Sequence, residues 1–127
     1  MAQASVLRGE WDFEVDRGPD WLFVRPFRLG ARGGAKFAEQ VWSILEQHFT
    51  HRVVLELDHV DELDSHLISQ LLLLKKRIVS ADGMMRLAGL SDCNEEVLWA
   101  CGLDGCFPSY RNREDAVMGH AHPKQPR

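Results

Sequence analysis

The chain has 127 residues, 45% of them hydrophobic and 27% charged, with a formal net charge of -4. That length suits one domain with a single core, and the acid excess offers no basic footprint for DNA or RNA. No apolar run exceeds five residues, and Leu71 to Leu74 lies between Gln70 and Lys75, far short of the roughly 20 residues a membrane span needs. Neither a nucleic-acid partner nor direct membrane insertion is expected. Cys93, Cys101 and Cys106 are an odd number with no signal-peptide pattern ahead of them, which predicts a reducing, cytoplasmic setting and packing roles for the thiols.

Residues 1–10 show no period and are expected to be a flexible arm. From Trp11 to Asp16 apolar and acidic residues alternate, the pattern of a strand with one wet face, and Arg17-Gly18-Pro19-Asp20 supplies a turn into a return strand over Trp21–Phe27. Pro26 predicts that this strand ends there or leaves its ladder, because proline donates no backbone hydrogen bond. The basic, glycine-rich Leu29–Gly34 lacks the glycine spacing and the Lys-Ser/Thr of a phosphate-binding loop. A helix follows over Ala35–Phe49, with Phe37, Val41, Ile44, Leu45 and His48 on one face. His48 is expected there as a packed, hydrogen-bonded boundary residue.

The centre of the chain is Arg52–Asp82. Val53, Val54, Leu55 and Leu57, interrupted only by Glu56, read as a strand buried on both faces. The acidic crossing Asp58–Leu63 leads to a long helix, Asp64–Ala81, with Asp64 as N-cap and Asp82-Gly83 as its stop. A strand feeding a helix through so short a crossing places the first helical turn at the carboxyl edge of the sheet, where open α/β sheets present their sites. Met84–Leu90 reads as another strand, and Ser91 as the cap of a helix over Asp92–Cys101 ended by Gly102. Val97, Leu98 and Cys101 fall on its buried side and Trp99 points away. Phe107–Arg111 suits a short strand and Arg113–Gly119 a last helical turn, while residues 120–127 look like a disordered tail. The order implies one α/β domain over 11–119: a mixed, mostly parallel sheet of four to five strands, an N-terminal hairpin, and about four helices packed on one side.

Several pieces in register carry a resemblance. They are Val53-Val54-Leu55-Glu56-Leu57-Asp58, the Leu63-Asp64-Ser65 corner, Ser80-Ala81-Asp82-Gly83, and Met85-Arg86-Leu87-Ala88-Gly89-Leu90. Val97-Leu98 then leads to Cys101-Gly102-Leu103-Asp104, with Phe107 and Tyr110 before Arg113-Glu114-Asp115-Ala116-Val117. Together they resemble the STAS family, shared by bacterial anti-sigma-factor antagonists and the cytoplasmic tails of sulphate transporters. The N-terminal half fits by element order alone, since the family's Gly-x-Leu-Asp signature is absent around Arg25–Leu29. In the antagonists the corner reads Asp-Ser-Ser-Gly, and a partner kinase phosphorylates the second serine. Here the four positions are Asp64, Ser65, His66 and Leu67, so the usual acceptor is a histidine.

The resemblance implies a regulator of signal transduction and transcription that binds an anti-sigma factor, a serine kinase or an analogous protein. Its partner-binding surface is expected at Asp64, Ser65, His66, Ser69, Leu73 and Trp99, with Ser65 as the remaining phosphorylation candidate. On the central helix Leu67, Leu71, Leu74 and Ile78 form the core stripe, and Ile68, Leu72 and Val79 a second one beside it. That apolar face is wider than a surface helix needs. Leu73 lies toward the polar side with Ser69 and Lys76. We expect no catalysis, cofactor or metal: His59, Asp61, Glu62, Asp64 and His66 have no recognised ligand spacing and read as a solvated acidic loop. Two other functions compete, a scaffold subunit of a transporter or sensory complex and a small-ligand or nucleotide-binding module. A homodimer is compatible with each.

Overall fold

A computed structural model describes residues 11–28 and 36–119. The expected N-terminal arm, the Leu29–Gly34 loop and the C-terminal tail lie outside the described residues. The elements are β1 (Trp11–Arg17), β2 (Leu22–Arg28), α1 (Phe37–Gln47), β3 (Arg52–Glu56), α2 (Ser65–Ser80), β4 (Met84–Ala88), α3 (Asp92–Ala100), β5 (Ser109–Tyr110) and α4 (Arg113–Met118). They build one five-stranded sheet in the order β1-β2-β3-β4-β5. The hairpin β1/β2 is antiparallel, with Phe13 opposite Pro26 and Val15 opposite Val24. Every later pair is parallel, because each strand is reached through a helix.

Side-chain alternation along the strands divides the apolar residues between two cores. Val53 and Leu55 of β3 and Leu87 of β4 point into the larger core with Trp11, Phe13, Leu22 and Val24 of the hairpin. Phe37, Val41 and Leu45 of α1, Leu67, Leu71, Leu74 and Ile78 of α2, and Leu98 of α3 close it. Each such leucine, fully buried, contributes about 1.5–3 kcal/mol of transfer free energy. The core stripe read from the sequence on α2 is the buried face observed. Val54 and Ala88 point the other way, into a smaller core with Trp21, Phe23, Tyr110 and Ala116. Ala116 belongs to α4, so three helices cover one face and α4 covers the other; the expectation of helices on one side holds for α1–α3. The strand pattern explains the split, because Val54 is as buried as Val53 and Leu55 and needs its own cover.

Two further expectations are corrected. The second strand continues through Pro26 to Arg28. Its parallel pairing with β3 covers Leu22–Val24, so the missing N–H falls beyond that ladder, and Pro26 remains beside β1. The packing role expected of the cysteines holds only for Cys106, half-buried against the larger core, while Cys93 and Cys101 are exposed. Cys101 caps the end of α3, so its side chain leaves the face occupied by Leu98. His48 behaves as expected, half-buried with Nδ1 3.0 Å from the Ile44 carbonyl.

Candidate functional site

The corner begins where β3 stops. Between β3 and α2 the chain runs without regular structure, and Leu57, Val60 and Leu63 are buried pegs in it. Asp58, His59, Asp61 and Glu62 between them are exposed. This alternation turns the acids outward and anchors the crossing by its apolar side chains. Its backbone is held as well: the Leu57 amide donates to the Ala88 carbonyl and the Val60 amide to the Leu57 carbonyl. Three further backbone groups meet one side chain of α3. Asn94, 2% exposed, accepts from the Leu63 amide at 3.1 Å and donates to the carbonyls of Val60 at 3.1 Å and Asp61 at 3.4 Å. Sequence reading did not identify Asn94. The available signal was an amide at a position one turn before the buried Leu98.

At the end of the crossing Asp64 caps α2, its Oδ1 accepting from the Leu67 amide at 2.9 Å. Its Oδ2 lies 3.4 Å from Nη1 of Arg28, at the end of β2. Burial favours the protonated acid, but the Leu67 N–H and the Arg28 guanidinium outweigh it and His66 adds to them, so the carboxyl titrates below its ordinary range. Ser65 and His66 follow in the first turn, both exposed. A helix N-terminus carries unpaired N–H groups and a partial positive charge, and this one is presented on a fixed platform.

Contacts on α2 show which neighbour lies on which flank. Gln70 accepts from the Ala38 amide and Arg77 lies over the Trp42 ring, so one flank faces α1. Lys75 donates to the Cys106 carbonyl, so the opposite flank faces the α3–β5 connection. With about 100° per residue, Ser65 and Ser69 lie along the exposed crest, His66 and Leu73 toward α1, and Leu72 and Val79 toward α3. Leu73 is 55% and Leu72 37% exposed; the second stripe is only partly covered. Trp99 is 54% exposed, but Glu95, one turn before it, accepts from the Ser109 hydroxyl of β5. Trp99 therefore lies on the β5 flank of α3. The corner residues and Leu73 share one surface of α2, and Trp99 stands apart from it.

A second polar arrangement occupies the carboxyl edge on the α4 side. Glu56, 6% exposed, is held by Arg113 from α4 at 2.7 and 2.8 Å and approached by Arg25 at 3.5 Å. Arg25 also reaches Asp58 and Glu14, and Arg113 reaches Asp16. Arg25, Glu56, Asp58 and Arg113 line a cleft of about 480 Å³ together with Gly89 and Arg111. Arg25 and Arg113 are already matched by carboxylates, and the Arg113–Glu56 pair fastens α4 to the sheet. Its only trace in the sequence was Glu56, the lone acid in an apolar strand. Among the described residues no three His, Cys, Asp or Glu side chains come together as metal ligands, and no helix is long and apolar enough to cross a membrane.

Comparison with known proteins points one way. The family model described as "STAS domain" matches residues 34–116. Among solved structures, the protein TM1081 of Thermotoga maritima superposes with a TM-score of 0.73 at 20% identity, covering 93% of this chain and 96% of that one. An anti-sigma-factor antagonist (STAS) domain protein from Planctomyces limnophilus gives 0.70 at 22% identity, covering 84% and 96%. The anti-sigma factor antagonist SpoIIAA in its unphosphorylated form gives 0.65 at 16% identity, covering 87% and 99%. No curated protein matches the chain by sequence.

Proposed function

The chain belongs to the STAS domain family, and on that premise we propose that it is an anti-sigma-factor-antagonist-like docking module without catalytic chemistry. Its partner in this reading is an anti-sigma factor of the serine-kinase type or an analogous signalling protein in the cytoplasm. One observation carries the proposal: the first turn of α2 is solvent-exposed at Ser65 and His66 while the crossing behind it is pinned by buried contacts. A preorganised surface loses little entropy on binding, which favours reversible protein contact. Beyond it Ser69 on the crest and Leu73 on the α1 side, both exposed, extend the same surface along α2.

SpoIIAA, a structural relative, is also known in a phosphorylated form. The family's phosphoacceptor position is His66 in this chain. A phosphate beside Asp64 would add repulsion and a desolvation cost to a face that meets a partner. With histidine there, the module docks constitutively, or the remaining hydroxyl at Ser65 takes the regulatory role. The arginines at the carboxyl edge already face carboxylates, so that cleft gives no comparable support to a small-ligand reading.

The test is a binding titration of the wild type, His66→Asp and Trp99→Ala against purified anti-sigma factors of the serine-kinase class. An acid in the first helical turn suits the helix dipole, so His66→Asp keeps the fold and places a fixed negative charge on the docking face. Binding weakened by about tenfold or more in His66→Asp supports the proposal. Trp99→Ala, which lies off this surface, should bind as the wild type does, and wild-type binding by His66→Asp rejects the face.

A further inference from the structure

We infer that Asn94 is the positioning residue of the docking corner, joining α3 to the β3–α2 crossing so that Ser65 and His66 are presented in one orientation. The inference rests on reading the corner as a docking face. Position 94 lies on the buried side of α3 with Leu98, the pair being the buried residues of that helix. An apolar side chain would be the ordinary occupant. An amide there loses its hydration, and the loss is offset only when its hydrogen bonds are made. Asn94 makes them with three backbone groups of the crossing, the Val60 and Asp61 carbonyls and the Leu63 amide. Its own amide is taken by the Ser91 hydroxyl that caps α3.

The geometry places this clamp directly before the cap. Leu63 is adjacent to Asp64, whose carboxylate holds the Leu67 amide and faces Arg28. Fixing the Leu63 amide fixes the direction in which the chain enters α2. Without the clamp, the buried pegs Val60 and Leu63 still retain the crossing against the core, so the loss is one of orientation before it is one of folding.

Amide hydrogen exchange of Asn94→Ala tests this without a partner. Leu63 should exchange at least about tenfold faster, and the Leu67 amide should follow, while Val54 and Leu87 in the central strands keep their wild-type rates. A second readout responds to orientation in particular: in a carboxyl-resolved NMR titration, Asp64 should move up toward the ordinary value as its contacts loosen. Unchanged Leu63 exchange, or equal acceleration of all core amides, overturns the inference. If Asn94→Ala does not fold, Asn94→Asp serves, since it keeps the acceptor for Leu63 and loses both donors. Faster exchange of Leu63 than in wild type, with Val54 and Leu87 unchanged, supports the clamp, and the wild-type rate overturns it. Wild-type binding by His66→Asp in the titration would reject the docking face and leave these partner-free results unaffected, so the two failures are distinguishable.

Discussion

Arg113 grips Glu56 with two prongs, Nε 2.8 Å from Oε2 and Nη2 2.7 Å from Oε1, and so ties the start of α4 to the end of β3. The hydrogen bonds to Glu56, against the opposing effect of burial and with help from Asp16, hold the guanidinium above its ordinary pKa. Removing one partner of a buried pair costs more than removing both, because a lone buried charge remains. Arg113→Ala should therefore destabilise the protein by on the order of 2 kcal/mol, below the range for fully buried pairs because Arg25 still faces Glu56 and Arg113 is partly exposed. The double variant Glu56→Leu/Arg113→Leu should lose less. Urea denaturation of the three proteins measures the difference.

The cap at Asp64 has two separable parts. Asp64→Ala loses the side-chain acceptor for Leu67 and should cost about 1 kcal/mol; Asp64→Asn keeps an acceptor and should cost less. The folded-state pKa lies below the ordinary carboxylate value, so the associated stability is fully present above the unfolded value. It is lost as pH falls through the folded value. Asp64→Asn should lack this part of the acid dependence, which denaturation midpoints between pH 7 and pH 2 would reveal.

Two neighbouring leucines on α2 should behave oppositely. Leu71 is fully buried, and Leu71→Ala should cost about 2–5 kcal/mol through lost transfer energy and a cavity. Leu73→Ala should stay within about 0.5 kcal/mol of wild type, as for an ordinary surface change. Thermal unfolding checks both. A large loss in Leu73→Ala would mean that the outer surface of α2 toward α1 is covered.

Gly83 closes the turn from α2 into β4 against His51. A Cβ at this position would sit 2.1 Å from the His51 carbonyl oxygen, an overlap with backbone that a rotamer change cannot relieve. Gly83→Ala should cost about 1–3 kcal/mol as the two segments move apart. It should also weaken the bond from the Met84 amide to the same carbonyl, visible as faster exchange of Met84.

What the sequence disclosed follows from period and punctuation. Leu67, Leu71, Leu74 and Ile78 recur at helical spacing, and Asp64 and Ser91 are capping residues in front of such runs; each is observed in that role. Val53–Leu55 showed burial on both faces, but no local pattern says which later element covers the second one. The answer, Ala116 of α4, depends on long-range packing. Asn94 was illegible for the same reason, since its three partners lie more than 30 residues away. Cys101 misled because helical phase alone placed it with Leu98, while the helix ends there and releases the side chain. At the corner, chain order located Ser65 and His66, but the separation of Trp99 from Leu73 needed the contact between Glu95 and Ser109.

The most direct test of the docking account is an amide chemical-shift titration of the protein with a purified serine-kinase-type anti-sigma factor. The account predicts the largest changes at Ser65, His66, Ser69 and Leu73, with the central strands unmoved. Changes centred on Arg25, Glu56 and Arg113, or no changes at saturating partner, would contradict it.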